Sequence, residues 1–253
     1  MVGRSAPSPA GDPQSRSESS FALVESKLHP PPARPGIVAR TALVDRLLAN
    51  AAPVVCVVAP AGYGKTTLLA QWTQHKGPRV GWVSVDQRDN DPVVLLRYVA
   101  VALDRVEPIN PGVFQALASA GVSVLGTVLP RFASAVSAMA EPVALVLDHV
   151  ELLDNRECVD AVAELAVRLP AGSQLLLASR RMPPLPVALL RAQGQMAEIG
   201  ADQLAMDERE ARALLEGAGT TACRSSRAPP CGSGTPPAPA GDAPAAPTAG
   251  SRP

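Results

Sequence analysis

Lys65 and Thr66 follow a glycine-bearing turn, and together they could hold a triphosphate. The run Val54-Val55-Cys56-Val57-Val58 is apolar and β-branched, which reads as a buried strand. Ala59-Pro60-Ala61-Gly62-Tyr63-Gly64 makes the turn, and Lys65-Thr66-Thr67 opens a helix-like stretch through Leu68, Leu69 and Trp72. Strand, loop and helix in this order are the setting a phosphate-binding loop requires. Backbone N–H groups of the loop and the positive end of the helix cradle phosphate oxygens. Lys65 reaches the β- and γ-phosphates, and the Thr66 hydroxyl ligates Mg²⁺. Gly62 and Gly64 permit a backbone approach that a Cβ would block. Ala59 stands where the usual pattern begins with glycine, so the context has to support the motif.

A second chemistry-bearing position lies far downstream. The apolar strand candidate at 143–147 ends in Asp148. A carboxylate at the C-terminal edge of a buried parallel strand can hold Mg²⁺ directly or through water. Ligands of open α/β sheets bind at those strand ends, so Asp148 and the phosphate loop should converge. The alternative is an aspartate that caps the next helix. The residue after Asp148 is His149, where hydrolysing enzymes of the additional-strand type carry an acid that polarises the attacking water. Glu151 takes that role if the turn presents it to the γ-phosphate; otherwise Glu151 and Asp154 are a solvated helix start. Arg180 follows the strand candidate at 174–178 and is placed to contact the γ-phosphate, although Ser179, Arg180 and Arg181 compete for the inward position.

The elements that must position these residues alternate between strand and helix, which predicts a parallel α/β sheet flanked by helices. Further strands are expected at 80–85 and 196–199. Asp91-Pro92 predicts an N-cap followed by proline at the first helical position. Helices are expected over about 65–75, 156–168 and 124–139, the last kinked or split by Pro130. Asp207-Glu208-Arg209-Glu210 reads as a capping box.

Composition sets the remaining bounds. Hydrophobic residues make up 47% of the 253 and aromatics only 3%, so the core must be Leu, Val and Ala. With 23 basic and 23 acidic residues the formal charge is zero, and no basic stripe points to nucleic acid. The four cysteines lack metal-ligand spacing, which fits a cytoplasmic location. Neither a secretory signal nor a run long enough to span a membrane is evident. Three zones emerge: a polar segment 1–26 read as disordered, a nucleotide-binding domain over 27–218, and a Pro/Ala-rich tail 219–253 also read as disordered. The guanine signature Asn-Lys-x-Asp is not apparent, so ATP or ADP is the expected nucleotide.

Several collinear blocks resemble MalT-like regulators, large LuxR-type transcriptional regulators of the STAND class of P-loop ATPases. Lys27-Leu28-His29-Pro30-Pro31, Arg40 and the 43–48 helix resemble the entry to their nucleotide domain. The loop 59–67 with Gln71-Trp72 matches, including Pro60 and Tyr63. Gly81-Trp82-Val83-Ser84-Val85-Asp86, Asp89-Asn90-Asp91-Pro92, Leu145-Val146-Leu147-Asp148, Ala178-Ser179-Arg180 and Glu198-Ile199-Gly200-Ala201 continue in order. The resemblance implies an AAA+/STAND-like sheet of order 5-1-4-3-2 and adds Arg40 to the nucleotide contacts. It also implies an ATP-dependent switch reset by slow hydrolysis, self-association in the ATP state, and DNA binding through C-terminal domains that this chain does not show. His149, standing where the family usually has a second acid, bears on hydrolysis more than on binding. After about Gly217 the expected continuation gives way to the Pro/Ala tail, which reads as a frameshifted or truncated product; the coding DNA in its other frames tests this. Two other readings stay open: a free-standing P-loop enzyme such as a small-molecule kinase, and an inert fragment.

Overall fold

The computed structural model describes residues 23–34, 36–77, 79–119, 121 and 123–217. Residues 1–22 and 218–253 lie outside the described residues, and with them the expected disorder of 219–253 and most of that of 1–26; residues 23–26 are described, and Glu25 opens a 3-10 turn. Five strands form one sheet: β1 (Val54–Val58), β2 (Val80–Ser84), β3 (Ala144–Asp148), β4 (Gln174–Ser179) and β5 (Met196–Ile199). Every pairing is parallel, and the order is β2-β3-β4-β1-β5, the expected 5-1-4-3-2 read from the other edge. The helices are α1 (Thr41–Leu48), α2 (Lys65–Lys76), α3 (Pro92–Asp104), α4 (Pro111–Ala118), α5 (Leu129–Ser137), α6 (Arg156–Arg168), α7 (Val187–Ala192), α8 (Ala201–Leu204) and α9 (Glu208–Gly217).

Strand side chains alternate between two apolar layers, because successive residues point to opposite faces. Val54, Cys56, Leu145, Leu147, Leu175 and Leu177 pack with α3–α6. Val55, Val57, Val146, Leu176 and Ala178 pack with Trp72 of α2 and with Val44 and Leu47 of α1. Both faces are therefore dry, which explains why the strands read as continuous apolar runs. Burial pushes the Cys56 thiol up to about 12, consistent with a core residue rather than a reactive one.

The start signals act as the sequence predicts. The Asp91 side chain accepts from the Val93 and Val94 N–H groups, with Pro92 at the start of α3. At α9, Asp207 accepts from the Glu210 N–H and Glu210 accepts from the Asp207 N–H. Pro130 splits its helix: residues Val124–Val128 form a π turn, and α5 begins at Leu129 with the proline in its first turn, where no intrahelical N–H is needed. Asn110-Pro111 opens α4 by the same device as Asp91-Pro92, although 111–118 carries no helix in the sequence reading.

A short 3-10 turn, Glu25–Leu28, docks the N-terminal arm onto α3. Lys27 Nζ lies 2.6 and 2.5 Å from the two carboxylate oxygens of Asp89, 3.3 Å from Asp86, and 4.2 Å from the centre of the Tyr98 ring. Asp89 is fully buried, and Lys27 nearly so. Breaking a buried ion pair from one side leaves an uncompensated charge. Asp89→Ala is expected to cost about 3–5 kcal/mol in denaturant unfolding, with most of it recovered in Lys27→Met/Asp89→Leu; an unchanged midpoint in the single variant would refute this role.

Candidate nucleotide-binding site

The sheet order decides which loops meet. β4 lies between β1 and β3, pairing Val58 with Ser179 and Leu147 with Leu177. The loop after β1 and the acid at the end of β3 therefore flank the end of β4. The loop's own geometry depends on glycine: Gly62 and Gly64 have φ of 87° and 77°, and Gly64 immediately precedes α2. A side chain at either position would be strained.

The side chains follow from this placement. Lys65 Nζ donates to the carbonyls of Ala59 and Pro60 at 2.7 and 2.9 Å, so its charge sits inside the curl of the loop. Burial lowers its pKa, while Glu151 and Asp148 nearby favour the charged form. The Thr66 hydroxyl donates to Asp148 Oδ2 at 2.7 Å. Asp148 is 1% exposed. Burial raises its pKa, and the Thr66 hydrogen bond and His149 pull it back. Thr66 and Asp148 are thus brought together as the sequence predicts, and Asp148 is not a helix cap; Asn155 caps α6.

Glu151 and Arg180 also converge. Glu151 Oε1 lies 3.1 Å from Arg180 Nε, and Oε2 accepts from the Arg180 N–H at 3.1 Å. The Glu151 side chain is 8% exposed, so it is no solvated helix start, whereas Asp154 is largely exposed and pairs with Arg181 at 3.0 Å. Both arginines after β4 reach Glu151, Arg180 at its carboxylate and Arg181 at its carbonyl at 3.2 Å, while Ser179 is the residue of the three that is buried. His149 has φ 63°, a left-handed backbone, and its Nδ1 lies 3.3 Å from Asp148 Oδ2.

A cavity of about 760 Å³ opens beside the loop. Thr66, Thr67, Asp148 and His149 form its inner end; His29, Pro31 and Ile37 of the N-terminal arm and Gln74 and His75 of α2 form its walls. Ala61, Gly62 and Tyr63 are exposed on the loop. Gln71 ties arm to helix, accepting from the Arg40 N–H and donating to the Val38 carbonyl, each at 2.8 Å. Residues 29–37 have no periodicity that could have assigned them to a pocket from sequence. Asn90 is also missed by spacing: its side chain accepts from the Asp154 and Asn155 N–H groups and donates to the Leu152 carbonyl, fixing the turn that carries Glu151.

Arg40 differs from expectation. Its guanidinium donates twice to the Leu204 carbonyl at 3.0 Å, and its Nε lies 3.0 Å from Glu210. The carbonyls at the C-terminal end of α8 and the Glu210 carboxylate hold this buried cation, while Arg40 itself lines the cavity.

A hydroxyl and a carboxylate 2.7 Å apart are hard oxygen donors that fit Mg²⁺. Among the described residues no three His, Cys, Asp or Glu side chains gather to hold a metal, so an ion here needs further ligands from phosphate and water.

Sheet order, loop and acid define a P-loop α/β fold with the AAA+/STAND-like strand order. Over 200 residues, 77% of its length, the chain is 34% identical to the HTH-type transcriptional regulator MalT of Serratia proteamaculans, and 31% identical to that of Klebsiella pneumoniae. The chain is therefore a relative of the MalT regulators, and spans 22% of their length. No family model matches it. Among solved structures it overlays on a STAND protein with a tetratricopeptide repeat sensor from Pyrococcus horikoshii, covering 76% of this chain and 27% of that one, at TM-score 0.48 and 16% identity. The overlay on AMPPCP-bound DnaA from Aquifex aeolicus covers 72% and 52%, at TM-score 0.39 and 18% identity.

Removing the Arg40 side chain leaves buried carbonyls unpaired. Arg40→Ala is expected to lose about 2 kcal/mol of stability while nucleotide affinity, measured by calorimetry, changes less than about threefold, roughly 0.6 kcal/mol. A large affinity loss at unchanged stability would return Arg40 to the nucleotide contacts.

Proposed function

We propose that residues 27–218 form the ATP- and ADP-binding switch domain of a MalT-like regulator, with Mg²⁺ accompanying the nucleotide. The observation that carries this reading is the convergence of Thr66 and Asp148 at the inner end of a cavity large enough for a nucleoside, with Lys65 held in the adjoining loop. The adenosine occupies the space walled by the N-terminal arm and α2, and the phosphates lie in the loop. Binding turns Lys65 away from the carbonyls of Ala59 and Pro60 toward phosphate oxygens, a stronger, charge-assisted partner. Bound Mg²⁺ would neutralise phosphate charge, held through Thr66 and Asp148.

Hydrolysis is slow in this reading because Glu151 is occupied. Its carboxylate must accept a proton from the attacking water, yet both oxygens are held by Arg180. A γ-phosphate competes for the Arg180 guanidinium and releases Oε1 alone, while the Arg180 N–H keeps Oε2, so the triphosphate state frees the base only in part. The domain is placed in the cytoplasm, with self-association tied to the ATP state. Among the described residues no helix is long and apolar enough to cross a membrane. Sensing and DNA contact belong to the remaining length of such regulators.

Calorimetry with ATP, ADP and Mg²⁺ tests the reading. Lys65→Ala is expected to weaken ATP binding by about 100-fold, roughly 2.7 kcal/mol; binding unchanged by that substitution would sink the proposal. Glu151→Gln should retain ATP while lowering turnover about 10²–10⁴-fold, and equal turnover would remove Glu151 from the chemistry.

A further inference from the structure

His149 is the residue at this site that the P-loop scheme leaves unused. It follows the buried acid directly, and its backbone is left-handed at φ 63°, the one non-glycine residue with positive φ among the described residues. Such a conformation costs an L-residue free energy and persists only where the surroundings fix it. Here the His149 N–H donates to Asp148 Oδ1 at 3.0 Å, and the turn folds the imidazole back onto the strand end it has just left. Nδ1 stands 3.3 Å from Asp148 Oδ2, and that same oxygen accepts the Thr66 hydroxyl at 2.7 Å. The ring is partly exposed and lines the inner end of the cavity beside Thr66 and Asp148.

Two groups of different chemistry, a hydroxyl and an imidazole, thus flank one carboxylate oxygen. An octahedral dication with bonds of about 2.1 Å sets adjacent ligand atoms about 3.0 Å apart. The two separations here, 2.7 and 3.3 Å, lie on either side of that value. A neutral imidazole protonated on Nε2 offers the Nδ1 lone pair. Nitrogen donors favour first-row transition dications, whereas Mg²⁺ prefers oxygen ligands and retains its water.

We propose that His149 is a metal ligand, and that the nucleotide-dependent metal site of this chain selects a transition dication such as Mn²⁺ over Mg²⁺. The hydroxyl of Thr66, the carboxylate of Asp148 and the imidazole of His149 supply three positions, and nucleotide phosphate and water supply the others. The inference rests on the nucleotide reading above and departs from it in the metal, which that reading gives as Mg²⁺.

The test uses the full chain labelled with ¹⁵N-histidine, with Mn²⁺ and ADP as probes. Pulsed electron paramagnetic resonance of the Mn²⁺–ADP complex should show a directly coordinated ¹⁵N nucleus, absent in His149→Asn. Asparagine tolerates the left-handed backbone, so the variant keeps the turn. Its thermal unfolding should match that of the parent. In calorimetry, His149→Asn should weaken Mn²⁺-supported ADP binding about tenfold, roughly 1.4 kcal/mol, and change Mg²⁺-supported binding less than about twofold, roughly 0.4 kcal/mol. Mn²⁺–ADP bound with no nitrogen coupling would overturn the assignment while leaving the P-loop reading intact. A complete lack of ADP binding with either metal would overturn the nucleotide reading and this inference with it.

Discussion

The hydrogen bond from Thr66 to Asp148 joins the first turn of α2, which follows β1, to the end of β3, and β1 and β3 do not pair with each other. β4 separates them, and the sheet is covered by apolar layers on both faces. Polar side chains in such a sheet can be hydrated or paired only at strand ends, because each face is dry. The loop after β1 and the acid ending β3 therefore gather at the end of β4. Asp148 is almost fully buried there, and it is tolerable only because Thr66 and the His149 N–H satisfy its oxygens.

Around this pair the remaining contacts form two braces. One is the N-terminal arm, held to the β2–α3 connection by Lys27 on Asp89 and to α2 by Gln71. The other is Asn90, next to Asp89, whose side chain fixes the turn carrying Glu151. The cavity wall and the turn after β3 are thus tied to neighbouring residues of one short connection.

Much of this was legible in the chain. The β-branched run before Ala59, the glycines at 62 and 64 and the Lys65-Thr66 pair specify a strand, a left-handed turn and a phosphate-facing helix by local physics. The Asp91-Pro92 and Asp207-Glu210 caps form from side chains reaching their own backbone, so spacing suffices to find them. Pro130 announced a break, since it can neither donate nor continue a helix N-terminal to itself without strain. The resemblance to MalT-like regulators supplied the strand order, which no local pattern encodes. Other features depended on distant partners. Arg40 was grouped with the nucleotide contacts, yet carbonyls at the end of α8 take its guanidinium. Glu151 and Arg180 were legible as separate candidates, but their mutual pairing was not.

The sequence by itself determined the local units: which runs are strands, where the helices start, and that a phosphate loop and a strand-end acid are present. These follow from backbone preference, side-chain periodicity and caps within a few residues. Only the tertiary structure decided which units meet. It set Asp148 against Thr66, closed Glu151 onto Arg180, turned His149 back toward the acid, and brought His29, Pro31, Arg34 and Ile37 to the cavity wall. The physical reason is that these contacts link groups tens of residues apart, whose encounter is fixed by the burial of both sheet faces rather than by any preference of the residues themselves.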